Sequence, residues 1–393
     1  MFHRCGAVHA PATDQGGSRR ARRRRYSLTV DIHCHFTSQR ADDLALPLRP
    51  PSAEPTLAVV TQEQRERHRR YIESLDARIR GIDRRLVEMD GQGVDVQVVS
   101  PGPMQYFYWT EPEMGRTLSR MVNDDIAELC ARRPDRLVPM GTVPLQDAKM
   151  AVAELERCVN ALGMRGIEIS TNVNGGEISD PRLAPFWAKA EELGVVVFIH
   201  PLGFTDGRRL ARHNFNNAIG NPLESTIAVG YLIYDGVLDR HPGLKICVAH
   251  GGGYVAHYIG RMDHSWSART EDRGAIAKKP SEYMKRLYFD TVQYDPIEIE
   301  NLARHWGADR VLMGTDWPYA MGEGDPVGLL DRCSGLSLAE RDRIAGANAA
   351  RLFGIKRPAR ARPAAASAAK PKAKTKSKDK RAPARPKSRL AAR

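Results

Sequence analysis

The chain has 393 residues and a formal net charge of +13, spread very unevenly. Residues 1–27 carry net +6 and residues 356–393 net +14, so the stretch 28–355 is mildly acidic at −7 and the high isoelectric point belongs to the two ends. No run of 18 apolar residues occurs, which excludes a membrane-spanning helix, and six scattered cysteines without a Cys-x-x-Cys pair exclude a disulfide framework and fit a reducing, cytoplasmic setting.

Residues 1–27 are basic and lack the apolar segment of a secretory signal; they are expected to be a disordered arm or the product of a start codon placed too early. From Leu28 onward, short β-rich runs alternate with longer helical ones. The strands are predicted at Leu28–His33, Asp95–Ser100, Leu137–Thr142, Arg165–Ser170, Val195–His200, Lys245–His250, Arg286–Thr291 and Arg310–Thr315. Helices are predicted at Ile82–Gln92, Pro112–Arg132, Asp147–Leu162, Pro181–Leu193, Pro222–Leu238 and Pro296–Trp306. Eight such βα units over residues 28–355 predict one α/β domain, a closed (β/α)₈ TIM barrel. An open doubly wound sheet is the other candidate, but it would carry a Gly-rich phosphate loop after the first strand, and none is present.

The segment Phe36–Arg80 is an insertion after strand 1, Pro-rich in its first half and charged in its second, and long loops on that side of a barrel build substrate sites. Residues 356–393 are almost entirely Lys, Arg, Ala, Pro and Ser; they cannot bury a core and are expected to be a disordered tail. Without stacking aromatics, any nucleic-acid contact by this tail is expected to be accessory.

Barrel chemistry sits at the C-terminal ends of strands. Strand 1 ends in Asp31-Ile32-His33-Cys34-His35, and alternation along a strand points His33 and His35 the same way. Strand 5 ends in His200-Pro201, strand 6 in His250-Gly251-Gly252-Gly253, and strand 8 in Asp316-Trp317-Pro318. Three imidazoles and a carboxylate, His33, His35, His200 and Asp316, make the donor set of a catalytic divalent metal completed by water. A two-metal site would need a bridging lysine on strand 4, where only Glu168 stands; a polar residue filling the barrel interior is the plainer role for it, and one metal is expected. His250 is the spare imidazole, suited to take a proton from metal-bound water and return it, with a further metal-ligand role as the alternative.

These motifs, with Glu88-Met89-Asp90, Gly93-Val94-Asp95-Val96-Gln97, Glu156-Arg157-Cys158-Val159, Gly220-Asn221-Pro222-x-Glu224 and Gly260-Arg261-x-x-His264, resemble the amidohydrolase superfamily. Within it the chain is similar to the aminocarboxymuconate-semialdehyde decarboxylase group, over roughly residues 28–355 and neither basic end. The resemblance implies a (β/α)₈ barrel, one Zn²⁺ per subunit with Mn²⁺ as the alternative, and non-oxidative loss of CO₂ from an unsaturated or aromatic acid. It implies His33, His35, His200 and Asp316 as ligands and His250 as the acid/base, with Asp316 sharing the proton traffic. It implies Arg85, or its neighbour Arg84, as a substrate-carboxylate group, and Arg261 as one reaching into the partner's site in a homodimer. Guanidinium suits that task because it pairs with a carboxylate through two parallel hydrogen bonds.

Three positions depart from the family pattern: Leu202 and Asn217 stand where aromatic residues are usual, and Tyr319 replaces a phenylalanine. All three are expected to line the substrate pocket and to change its specificity. A hydrolase or hydratase acting on a lactone, amide or enol acid is the rival activity, because the same ligands serve it.

Overall fold

The computed structural model describes residues 25–356. Eight parallel strands form one sheet in chain order: β1 (Val30–Phe36), β2 (Val96–Pro101), β3 (Leu137–Gly141), β4 (Gly166–Ile169), β5 (Val196–Ile199), β6 (Lys245–Val248), β7 (Tyr288–Asp290) and β8 (Val311–Leu312). The sheet closes between its first and last strands. The amide of Ile32 donates to Met313 O (3.0 Å), that of Asp316 to His33 O (2.7 Å) and that of His35 to Trp317 O (2.8 Å). The predicted TIM barrel is therefore the observed fold, with every predicted strand represented.

The outer layer is α1 (Ile82–Gln92), α2 (Pro112–Ala131), α3 (Ala148–Asn160), α4 (Ala184–Leu193), α5 (Asn221–Tyr234), α6 (Val255–Ala268), α7 (Pro296–Trp306) and α8 (Pro326–Arg332). Local chemistry sets several of their ends. Asp147 and Asp295 accept amide hydrogens at the starts of α3 and α7, and Gly93 and Gly194 take left-handed conformations where α1 and α4 stop. Alternation then divides the apolar residues into two cores. Val96, Val98, Val196 and Phe198 fill the barrel interior, closed below by Ala349 and Phe353, while Val197 and Ile199 face the helices.

β1 breaks the alternation where it matters. Its pairing with β2 shifts between Asp31 and Cys34. Val30 and Ile32 belong to the interior core and Cys34 and Phe36 to the outer one, so the irregularity turns His33 and His35 into the barrel mouth.

The insertion folds mainly as helices at Gln39–Ala45 and Gln62–Ser74; the second is started by a reciprocal Thr61/Gln64 cap. It spans the C-terminal end of the barrel. Gln64 Nε2 donates to Ala211 O (3.2 Å), Asn216 Nδ2 to Pro55 O (3.1 Å), and the Ala320 amide to the Tyr71 hydroxyl (2.5 Å). The body begins slightly earlier than residue 28, because Tyr26 is buried and donates to Asp331 Oδ1 (2.7 Å). The rest of the expected basic arm and nearly all of the expected C-terminal tail lie outside the described residues. Among the described residues no helix is long and apolar enough to cross a membrane.

Candidate metal centre and active site

His33, His35, His200 and Asp316 converge at the barrel mouth from β1 and from the ends of β5 and β8. One ligand atom from each lies within 4.8 Å of all the others, and all four residues are buried. The rings of His33, His35 and His200 are 4.9–5.1 Å apart between centroids and meet edge to face.

Two of these rings are held from behind. His33 Nδ1 is 2.6 Å from Asp290 Oδ2, and His35 Nδ1 is 2.8 Å from Pro101 O. With each Nδ1–H donated there, both Nε2 atoms carry lone pairs and face Asp316 Oδ1 at 3.4 and 3.2 Å. Neither Nε2 has a hydrogen-bond partner, nor does either nitrogen of His200. Buried orphan nitrogens beside a carboxylate are what a bound divalent cation would satisfy.

The electrostatics agree. Burial pushes the His200 pKa well below its ordinary value, and the neighbouring imidazoles of His33, His250 and His35 push it further, so its nitrogens are neutral donors. Burial would also lower the His33 pKa, but the hydrogen bond to Asp290 and the negative charges of Asp290 and Asp316 outweigh it and hold it up at about 10. Two carboxylates thus favour positive charge at the centre of the cluster, and a metal ion supplies it in place of a proton.

His250 stands beside this set. Its ring is 5.0 Å from that of His200 and 5.3 Å from that of His33, and its Nδ1 has no partner. Burial, then repulsion from His33, pushes its pKa down to about 4, so the ring is a neutral base. Its backbone is left-handed (φ 55°), as is that of Asp316 (φ 60°), a conformation that costs a non-glycine residue about 1–3 kcal/mol. The glycines after His250 make its turn possible. Gly251 has φ 63°, and a Cβ there would lie 2.3 Å from the side-chain carbonyl carbon of Gln293.

Two residues that the sequence did not single out complete the site. Asp290 ends β7; besides His33 it accepts the amides of His250 (3.1 Å) and Gly251 (2.9 Å), so one carboxylate orients both a candidate ligand and the candidate base. Its signal was legible: a carboxylate at the end of a barrel strand. Tyr106 donates to Glu168 Oε1 at 2.6 Å. Glu168 is fully buried and outside the four-residue cluster, as its expected role of filling the interior requires.

The remaining expected residues are placed less uniformly. The Tyr319 ring is 5.3 Å from that of His35. Leu202 is half-buried against the outer core, and Asn217 is half-buried in the π-helical segment Asn216–Gly220 that runs into α5. Arg261 is exposed on α6, along a groove with Tyr258 and Lys285, and not with the metal-site residues of its own chain. Arg85 lies apart from the other expected site residues. It is fully buried on the helix side of β1, facing Cys34 and Gln97, with β1 between it and the barrel mouth. Arg84 is exposed and paired with Glu88 (2.6 Å). Neither presents a free guanidinium to the barrel mouth.

The amidohydrolase family model matches residues 30–355. The chain belongs to the amidohydrolase family. Among amidohydrolase relatives, the 2-amino-3-carboxymuconate-6-semialdehyde decarboxylase of Dictyostelium discoideum is 32% identical over 287 residues, covering 73% of this chain and 80% of the relative. The gamma-resorcylate decarboxylase of Rhodococcus jostii (strain RHA1) is 30% identical over 305 residues, covering 73% and 92%. The crystal structure of 5-carboxyvanillate decarboxylase from Sphingomonas paucimobilis superposes with a TM-score of 0.75 at 26% identity, covering 84% of this chain and 99% of that one.

Proposed function

We propose that this amidohydrolase is a metal-dependent, non-oxidative decarboxylase of an unsaturated or aromatic carboxylic acid, with acids of the aminocarboxymuconate-semialdehyde type as the first class to test. The observation that carries the proposal is the neutral His250, with an unpartnered ring nitrogen, beside a converged set of three imidazoles and a carboxylate. The named activities of the relatives support it.

His33, His35, His200 and Asp316 would hold one metal ion; three imidazole nitrogens and one carboxylate favour zinc, with manganese as the alternative. When bound, the ion supplies positive charge that orients the substrate's oxygen atoms and acidifies a water. The chain's own residues do the rest. His250 takes a proton and returns it to the carbon bearing the carboxylate. A C–H bond forms, the bond to CO₂ breaks, and its electron pair restores the conjugated system. Asp290 keeps His250 oriented through its backbone amide. Tyr319, Leu202 and Asn217 are proposed to shape the substrate pocket, and Asp316 to share the proton traffic.

The same proposal places the enzyme in the cytoplasm, supported by five described cysteines that are all buried and free. It includes a homodimer in which Arg261 reaches the partner's site.

The test is CO₂ release by purified, metal-analysed protein on a panel of aminocarboxymuconate semialdehyde generated in situ, hydroxybenzoates and related ring-cleavage acids. Release from one of them is expected. H250A should keep the metal and lower kcat by about 10²–10⁴-fold. No CO₂ from any acid with a full metal site would move the assignment to a hydrolase or hydratase, and full activity in H250A would remove the histidine from the mechanism.

A further inference from the structure

Arg85 is a cation without exposure to solvent, and every direct hydrogen-bond partner of its guanidinium is neutral. Nη1 donates to Gln97 Oε1 (2.9 Å) and lies 3.8 Å from Cys34 Sγ; Nη2 donates to His35 O (2.6 Å) and Ile79 O (3.2 Å). Its plane lies over the Trp317 ring, 4.2 Å from the centroid. A buried charge left in this state is costly unless a counter-charge is close.

The counter-charge is one amide away. Gln97 pairs with Asp31 across β1 and β2, and its Nε2 donates to Asp31 Oδ2 at 3.0 Å. Asp31 is itself fully buried. It accepts the His33 amide (3.1 Å), the Thr315 amide (3.1 Å) and the Thr315 hydroxyl (2.7 Å). The result is an ion pair divided by a glutamine, in the layer between α1 and the barrel.

Each contact of this relay falls next to a candidate ligand. Arg85 holds the carbonyl of His35, Asp31 holds the amide of His33, Thr315 precedes Asp316, and Trp317 follows it. The relay also spans the irregularity in β1 and the seam where β1 meets β8. A one-residue slip at that place would turn His33 and His35 out of the barrel mouth. Glu88 braces it from outside, accepting from Trp317 Nε1 (2.7 Å) and from Arg78 (2.8 Å).

We propose that the Arg85–Gln97–Asp31–Thr315 relay is the device that sets the geometry of three of the four metal ligands, so that Arg85 is a positioning residue for the metal and not a substrate-carboxylate group. The inference rests on the metal-site proposal above and goes further by assigning residues on the opposite face of β1.

The experiment measures metal affinity by chelator competition, with the visible spectrum of the Co²⁺-substituted protein as a report on ligand geometry. R85M and Q97M are compared with wild type, with circular dichroism to establish folding. Both variants are expected to bind Zn²⁺ or Co²⁺ at least about ten-fold more weakly, the range usual for loss of a partner behind a ligand. Both should show an altered Co²⁺ spectrum, and at saturating metal the KM for the decarboxylated acid should change by less than about three-fold. R85K, which keeps the charge and loses the fork, should fall between R85M and wild type. Q97M leaves the cation in place and tests the relay if R85M does not fold. Wild-type affinity and spectrum in both folded variants, or a KM raised about a hundred-fold by R85M with metal binding unchanged, would overturn the inference. Wild-type protein that binds no metal would instead overturn the metal-site proposal.

Discussion

Asp290 carries hydrogen bonds to both halves of the site, the metal side through His33 and the proton side through the His250 amide. An asparagine there keeps one acceptor and turns an NH₂ group toward a backbone donor or the His33 nitrogen. D290N is therefore expected to weaken metal binding by about 10–100-fold, read by chelator competition; unchanged affinity would refute the orienting role. Glu54, in the insertion, poses a different problem. It is buried with no partner for Oε1, and burial pushes its pKa up to about 8. Between the ordinary carboxyl value and pH 8 the folded state keeps a proton that the unfolded state has released, so stability falls as pH rises through that window. E54Q should remove this slope and gain on wild type as the pH approaches 8. Urea melts at pH 5 and pH 8 would show it, and parallel profiles for the two proteins would disprove it.

Glu154 shows how the outer layer is tied to the barrel. Its side chain is 1% exposed and lies on α3; it accepts from Asn123 Nδ2 on α2 (2.7 Å), from Arg157 (2.7 Å) and from Arg120 (3.3 Å). Asn123 in turn accepts the Thr142 amide at the end of β3 (2.8 Å). Removing the buried carboxylate leaves Asn123 Nδ2 only the Thr142 carbonyl (2.9 Å) and Arg157 only one carboxylate, that of the more exposed Asp124 (2.6 Å). E154A is expected to cost about 3 kcal/mol, lowering Tm by about 4 °C for a body of this size, with kcat per folded molecule preserved. Calorimetry and an active-site-normalised rate check the two parts, and an unshifted Tm would mean the network carries no stability. At this scale the helices were also the most legible elements. α1 and α7 run as predicted because a Pro or Gly boundary and an apolar period of 3.6 coincide in each. β8 is only two residues of regular ladder, because the chain turns there into the strained Asp316 segment.

Over the whole molecule, one aromatic face stands out. Tyr254 and Tyr258 on and beside α6 are 43% and 67% exposed, close to Arg261. The proposed homodimer would cover this face. Sedimentation velocity is expected to give a dimer and Y258D a monomer with impaired turnover. A fully active wild-type monomer would exclude a shared site.

Periodicity, strand-end chemistry and composition by themselves determined the barrel, the four candidate ligands and the spare histidine. Those features are local: alternation and capping act within a few residues, and a barrel brings every strand end to one rim. The placement of the arginines was decided only by tertiary structure. Arg85 sits in a helix adjoining the insertion, and nothing in its neighbours says which face of β1 its guanidinium meets. The β1 irregularity decides that by sending His33 and His35 one way and Cys34 the other. The role of Asp290 likewise needed three dimensions, because the amides it holds lie 39 and 40 residues away, and only closure of the barrel brings them to one carboxylate.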